Sequence, residues 1–154
     1  MGVEIERKFL VRGDAWKRLA PGVLLRQGYL SSSAERIVRV RIEDAAATLT
    51  IKGRTTGATR GEWEYPMPLE DARVLLDTLC ERPLVEKFRY RIPIGGMMWE
   101  VDEFLGENAG LVVAEIELTS EDQSFDRPEW LGEEVTHDSR YANASLLRHP
   151  YCRW

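Results

Sequence analysis

The sequence has little of what several large functional classes require. Its 154 residues include only two cysteines and two histidines. Cys80 and Cys152 lie far apart without metal-ligand spacing, and His137 and His149 do not cluster with them, which argues against a zinc site. A disulfide between the two cysteines stays open, with reduced thiols expected. No apolar run approaches the roughly 18 residues of a membrane helix. The opening Met1-Gly2-Val3-Glu4-Ile5-Glu6 lacks a basic segment followed by an apolar one, so no secretory leader is expected. Glu6 also stands where a myristoylation signal needs Ser or Thr. There are no internal repeats, low-complexity tracts or dividing linker, so residues 1–154 read as a single domain, expected in the cytoplasm and not in a membrane. An excess of positive charge is missing too: the net charge of −5 disfavours extended nucleic-acid binding. A local basic pocket within an acidic whole remains compatible with a small polyanion.

What is present is alternation. With 44% hydrophobic and 31% charged residues the chain reads as globular, and period two dominates its length. Strands are predicted over Val3–Val11, Leu24–Leu30, Ile37–Glu43, Ala47–Lys52, Gly61–Met67, Val85–Ile94, Met97–Glu103 and Leu111–Thr119. Gly, Asp, Asn and Ser fill most of the short links between them, which favours antiparallel neighbours. In Leu69–Cys80 the apolar positions switch to helical spacing, with Pro68 at the entry and Pro83 beyond the end. A weaker helix is expected over Tyr141–Leu147 and a single turn over Asp14–Leu19.

One face of nearly every strand is charged, because side chains two apart point the same way. That face carries Glu4, Glu6 and Lys8; then Arg39 and Arg41; Thr50 and Lys52; Glu62 and Glu64; Lys87, Arg89 and Arg91; Glu100 and Asp102; Glu115 and Glu117. The opposite faces are apolar or aromatic, as in Val38, Val40 and Ile42, or Trp63 and Tyr65. A sheet with its charges in water is the plain reading of any one strand, and cross-strand ion pairs there contribute only about 0.2–1 kcal/mol each. Surface charges are normally interspersed in sign, however. Here most neighbours along a strand share a sign, which costs stability unless something binds them. Clustered carboxylates attract hard divalent cations, and clustered Arg and Lys attract phosphate oxygens. Together they suit phosphoryl chemistry. Alternation alone leaves open whether this face meets solvent or lines a barrel whose apolar outside would need cover from the helices or a partner subunit.

The ordered set of motifs resembles a known family. Glu4-Ile5-Glu6-Arg7-Lys8 matches the Glu-x-Glu-x-Lys opening of the CYTH superfamily, the triphosphate tunnel metalloenzymes. It is followed by Leu25–Leu30, Arg39-Val40-Arg41, Leu49–Lys52, Glu62-Trp63-Glu64, Glu86–Arg89, Glu100-Val101-Asp102 and Glu115-Ile116-Glu117. The closing Gly132–Thr136 and Arg140-Tyr141-x-Asn143 resemble the short bacterial members. The resemblance implies a mainly β fold: an eight-stranded antiparallel closed barrel forming a tunnel, with a few covering helices. It also implies a Mg²⁺- or Mn²⁺-dependent triphosphatase acting on a small-molecule triphosphate. Glu4, Glu6, Asp102, Glu115 and Glu117 are expected on the metal side, and Lys8, Arg39, Arg41, Lys52, Lys87, Arg89 and Arg140 on the phosphate side. Glu62 and Glu64 would support the bases. Glu100 stands as a supporting or solvated carboxylate, and Arg91 is expected at the rim. Lys8, on the acidic face, is the candidate for handling the proton of an attacking water, with Tyr29, which shares a strand face with Gln27, assisting.

Within that family, inorganic triphosphate is the favoured substrate because the chain is compact and shows no added segment for an organic group. Thiamine-triphosphate hydrolysis, nucleoside or RNA 5′-triphosphate hydrolysis, class IV adenylyl cyclase activity and a non-catalytic polyphosphate-binding module are the alternatives. A homodimer is left open.

Overall fold

A computed structural model describes residues 2–154; Met1 lies outside the described residues. The strands are β1 (Glu4–Val11), β2 (Gly22–Ser33), β3 (Arg36–Glu43), β4 (Ala46–Gly53), β5 (Thr59–Arg60), β6 (Glu62–Met67), β7 (Val85–Ile94), β8 (Met97–Phe104), β9 (Val112–Glu117) and β10 (Leu131–Glu134), with helices α1 (Leu69–Thr78) and α2 (Asn143–Leu146). The sheet runs β10-β1-β9-β8-β7-β2-β3-β4-β6, with β5 on β1. Every pairing is antiparallel. The eight long strands are those the alternation predicts, and the mainly β barrel architecture is present. β5 and β10 are additions, two and four residues long, too short for a period of two to be visible.

The barrel closes more thinly than a fully paired ring. Between β1 and β6 the link consists of Glu4 opposite Arg60 and Ile5 opposite Thr59. The Glu6 N–H also donates to the Ala58 carbonyl at 3.0 Å, and the Glu62 N–H to Gly2 at 3.2 Å. From the far side, Glu121 steadies this segment by accepting from the Ala58 N–H at 3.2 Å and the Thr59 hydroxyl at 2.8 Å. Two glycines answer local demands. Gly95 and Gly96 both have positive φ, +59° and +76°, as the tight turn between β7 and β8 requires. At Gly28 a Cβ would lie 2.8 Å from Cys80 and Leu84, so its absence lets the chain after α1 press against β2. Cys80 and Cys152 are both free thiols, as expected.

Alternation sends the charges inward and the apolar residues out, and three separate elements deal with the outside. α1 lays Ala72 and Leu76 on Val40, Ala47 and the outer faces of β3 and β4. Phe9, Trp99, Val101, Ala114 and Ile116, from β1, β8 and β9, pack under Trp16, Phe125, Trp130 and Leu131. The loop over residues 119–130 and the turn at Ala15–Arg18 thus do there what a helix does elsewhere. Ile51, Trp63 and Tyr65 keep an exposed strip on β4 and β6.

The second helix is not an outer cover. Ala144, Leu146 and Leu147 pack with Tyr29, Ile37, Phe104 and Val113, which share the inward face of their strands with Gln27, Arg39, Asp102 and Glu115. At that end the lumen turns apolar, and α2 plugs part of it.

β10 is pinned by one ion pair. Arg7 donates to Glu134 at 2.8 and 2.6 Å, and the Thr136 hydroxyl donates to the same carboxylate at 2.6 Å. The hydrogen bond from Arg7 chiefly pulls the Glu134 carboxyl from 4.5 down to about 2. A depressed folded-state pKa adds stability above the unfolded value and loses it as pH falls through the folded one. The wild type should therefore lose urea resistance between pH 4.5 and about 2 more steeply than Glu134→Gln, and parallel curves would deny the pair that role.

Candidate active site

Inward side chains surround a cavity of about 230 Å³, bordered by a second space of about 450 Å³ on the side of α2 and the loop over residues 54–58. The smaller cavity is lined by Glu4, Glu6, Lys8, Tyr29, Arg39, Arg41, Lys52, Glu62, Glu64, Lys87, Arg89, Glu115 and Glu117, so the lumen gathers charges from strands far apart in sequence.

The basic wall comes from β3 and β7. Arg39 Nη2 donates to Thr50 Oγ1 at 3.1 Å and lies 3.5 Å from Glu64, while its buried Nε–H has no partner. Arg41 Nε and Nη2 both donate to Gln27 Oε1, at 3.0 and 2.9 Å. Burial, then the nearby Arg39 and Arg89, depress the Arg41 pKa to about 9, so it stays charged at neutral pH but crowded by like charge. An orphan donor beside mutually repelling guanidiniums is what a polyanion would relieve.

Behind this wall sits Asp102. It has no exposed surface, takes a two-pronged contact from Arg89 at 2.8 and 2.9 Å, and lies 2.8 Å from Lys87 Nζ. Against the opposing push of burial, Arg89 and Lys87 hold its carboxyl down at about 2. Lys87 is itself lowered to about 7, by burial first, with Asp102 opposing and Arg89 and Arg41 reinforcing. Asp102 therefore departs from the metal-side expectation. It shares the predicted face, but two cations engage both its oxygens and it does not border the cavity.

The acidic wall comes from β1 and β9, where Glu6 faces Glu117 and Lys8 faces Glu115 in register. Burial, then Glu115 and Glu4, push the Glu6 carboxyl well up. Glu115 goes the other way despite burial, held down by Lys8 and by a hydrogen bond from Glu6. Two close carboxyls on one buried wall are thus pushed in opposite directions. Glu117 is also raised, by burial and then by Glu4 and Glu100. This all-oxygen donor set fits a hard divalent cation. Among the described residues no three acids already converge as a finished cage. Glu4 is differently engaged: Lys52 and Arg60 each reach it at 3.3 Å, and its carboxyl lies at about 2 against the push of burial. Glu62 lies 3.1 Å from Lys52, and Glu64 accepts from the Thr50 hydroxyl and lies 3.5 Å from Arg39.

Arg140 is not brought to the cavity. It is exposed, pairs with Asp138 at 2.7 Å and stacks over Trp154 at 4.8 Å. Conversely, Arg60, Glu100, Arg91 and Asn143 do line it. Arg91 is 37% exposed and bonds Glu43 at 2.7 Å, which makes it the rim residue expected. Alternation puts Glu100 on the charged face; Arg60 sits on a two-residue strand with no period to read, and Asn143, part of the closing motif, is uncharged and gives no sign of a role by charge.

An antiparallel barrel with a lumen divided into basic and acidic walls defines a class of polyanion-binding domain. The chain matches the CYTH domain over residues 2–151, and it belongs to that family. It is 53% identical to an inorganic triphosphatase of Acetivibrio thermocellus, over 98% of this chain and 97% of the relative. To an inorganic triphosphatase of Nitrosomonas europaea it is 39% identical, covering 93% and 95%. A crystal structure of an inorganic triphosphatase superposes with a TM-score of 0.67 at 36% identity, covering 94% of this chain and 93% of that one.

Asp102 gives the direct check on this arrangement. Removing one partner from a buried ion cluster typically costs about 3–5 kcal/mol. Asp102→Asn should show a loss of that size in urea unfolding; a loss below about 1 kcal/mol, the scale of an exposed pair, would mean that Arg89 and Lys87 do not depend on it.

Proposed function

We propose that this protein hydrolyses inorganic triphosphate to pyrophosphate and phosphate in the barrel lumen, with a divalent cation, Mg²⁺ or Mn²⁺, as cofactor. The observation that carries this reading is the opposition of two walls across a cavity of about 230 Å³: the guanidiniums of Arg39, Arg41 and Arg89 on one side, the carboxyls of Glu6, Glu115 and Glu117 on the other. The inorganic triphosphatases at 53% and 39% identity support it over nearly the full chain.

The roles follow from position. Arg39, Arg41, Lys52, Lys87 and Arg89 hold the phosphate chain, whose charge is distributed over many equivalent oxygens and is best met by several fixed donors. Arg89 and Lys87 are anchored by Asp102 and keep their places when the lumen empties. Glu6, Glu115 and Glu117 would hold the cation, with Glu4 beside them. When bound, it would neutralise phosphoryl oxygens and favour attack by water on phosphorus. Lys8 Nζ lies 4.0 Å from Glu6 and opposite Glu115, on the acidic wall. From there its amine, once it has given up its own proton, would take the proton of the attacking water, with the Tyr29 hydroxyl on the cavity surface as its helper.

Phosphate release from tripolyphosphate should depend on added Mg²⁺ or Mn²⁺ and exceed release from ATP, thiamine triphosphate and pyrophosphate. Cyclic AMP formed from ATP with little tripolyphosphate cleavage would replace this reading with a cyclase. Binding of tripolyphosphate without turnover would replace it with a binding module.

Lys8→Arg separates charge from proton handling, because arginine keeps its charge. Turnover should fall about 10²–10⁴-fold while KM stays within about tenfold. Unchanged turnover would reduce Lys8 to a phosphate contact.

A further inference from the structure

Asn143 is uncharged and at first sight only buttresses Lys87, yet its hydrogen bonds fix which way its amide faces. The chain of constraint starts at Gln27, which has no exposed surface. Its Oε1 receives Arg41 Nε and Nη2 at 3.0 and 2.9 Å. A guanidinium has donors only, so Gln27 can present only oxygen to it. The Gln27 NH₂ is thereby turned the other way, where it donates to the Tyr29 hydroxyl at 2.8 Å and to Asn143 Oδ1 at 3.3 Å. Asn143 Oδ1 takes a second donor, Lys87 Nζ, at 2.7 Å. The Gln27 NH₂, already fixed as a donor, needs an acceptor at Asn143, and Lys87 Nζ donates to the same oxygen, so the amide orientation at Asn143 follows from that at Gln27.

The consequence lies on the other side of Asn143. With Oδ1 taken by Lys87 and Gln27, the Nδ2 group faces away from both, and Asn143 borders the cavity. We propose that Asn143 is a substrate-binding residue whose Nδ2–H groups donate to a phosphate oxygen, and that Gln27 is the positioning residue that makes it a donor. Tyr29 falls under the same constraint: its oxygen already accepts from Gln27, which leaves its O–H free to donate. Arg41, Gln27, Asn143, Tyr29 and Lys87 thus form a network that turns its ambivalent members into donors. A carboxylate oxygen in place of the Asn143 NH₂ would repel the ligand, and water could face the site either way. An oriented amide adds a donor for an oxyanion without adding another cation to a wall where Arg39, Arg41 and Arg89 already repel.

The inference rests on the triphosphatase reading, and its test separates the two. Asn143→Asp keeps an oxygen for Lys87 and Gln27 but removes both N–H donors; Asn143→Ala removes donor and acceptor together. Urea unfolding and steady-state kinetics on tripolyphosphate with Mg²⁺ are measured for both and for wild type. If Asn143 donates to substrate, KM rises at least about tenfold in both variants, Asn143→Asp binds no better than Asn143→Ala, and Asn143→Asp keeps wild-type stability. If Asn143 only supports Lys87, the aspartate rescues: KM in Asn143→Asp returns towards the wild-type value and below that of Asn143→Ala, and the proposal is overturned. Loss of folding in Asn143→Asp would overturn it as well, because the retained acceptor would then not have preserved the network. A wild-type protein that does not cleave tripolyphosphate overturns the functional reading, and this inference with it.

Discussion

Two cations held on one carboxylate without exposed surface form the interaction on which the lumen depends. Asp102 fixes Arg89 by a paired contact and Lys87 by a single one. Burying three ionised groups is expensive, and the cost is offset only when geometry is good and every oxygen is used. Here both oxygens are used, and Lys87 finds a further acceptor in Asn143. The consequence is a cationic surface that stays in place beside Arg41, although Arg41 and Arg89 repel each other. Without such an anchor the long side chains of β7 would have to be ordered at the moment of binding, at an entropic cost per side chain that a preformed wall avoids.

With charge inside, the outside must be dry, and the chain meets this with whatever element is nearest. α1 covers β3 and β4; the loop carrying Phe125 and Trp130 covers β1, β8 and β9. The seam between β1 and β6 then becomes the thinnest part of the wall, because its two-residue β5 carries only a short ladder. Glu4 links this seam to the site, since Lys52 and Arg60 both pair with it and Arg60 belongs to β5. Barrel closure and lumen electrostatics therefore share a residue.

Much of this was legible in the sequence, and the rest was hidden for identifiable reasons. Long strands repeat their alternation often enough to be read, so the eight of them and their charged faces were accessible from Glu4 to Glu117. β5 and β10 were not, because two or four residues hold no period. Alternation gives the face of a side chain but not its lateral neighbour. It set Asp102 on the inner face, yet only the pairing of β7 with β8, Arg89 opposite Asp102, shows that the carboxylate is engaged. Arg140 came from motif resemblance alone, and its local partners, Asp138 and Trp154, hold it outside. The apolar stripe of α2 was readable, but a stripe does not say which side of a barrel it meets. Gln27 and Asn143 escape any reading by charge, since their importance comes from hydrogen-bond direction.

Their place in the site follows from what charge alone leaves undone. A lumen of opposed charges would tend to collapse into internal ion pairs, and several residues have done so: Lys52 with Glu4 and Glu62, Arg89 with Asp102. Groups paired in this way scaffold the cavity but offer a ligand little new energy, because binding must compete with an existing partner. The groups with most to gain are those least satisfied internally: the orphan Nε–H of Arg39, the crowded Arg41 whose acceptor is only a neutral amide, and Glu6, whose carboxyl burial and the neighbouring Glu115 and Glu4 push well up. These are local conflicts of the kind folded proteins tolerate mainly where function uses them. An anion against β3 and a cation against β1 and β9 would relieve them together. Under the proposed function the affinities of the two ligands would be coupled through the same lumen, each binding more tightly in the presence of the other.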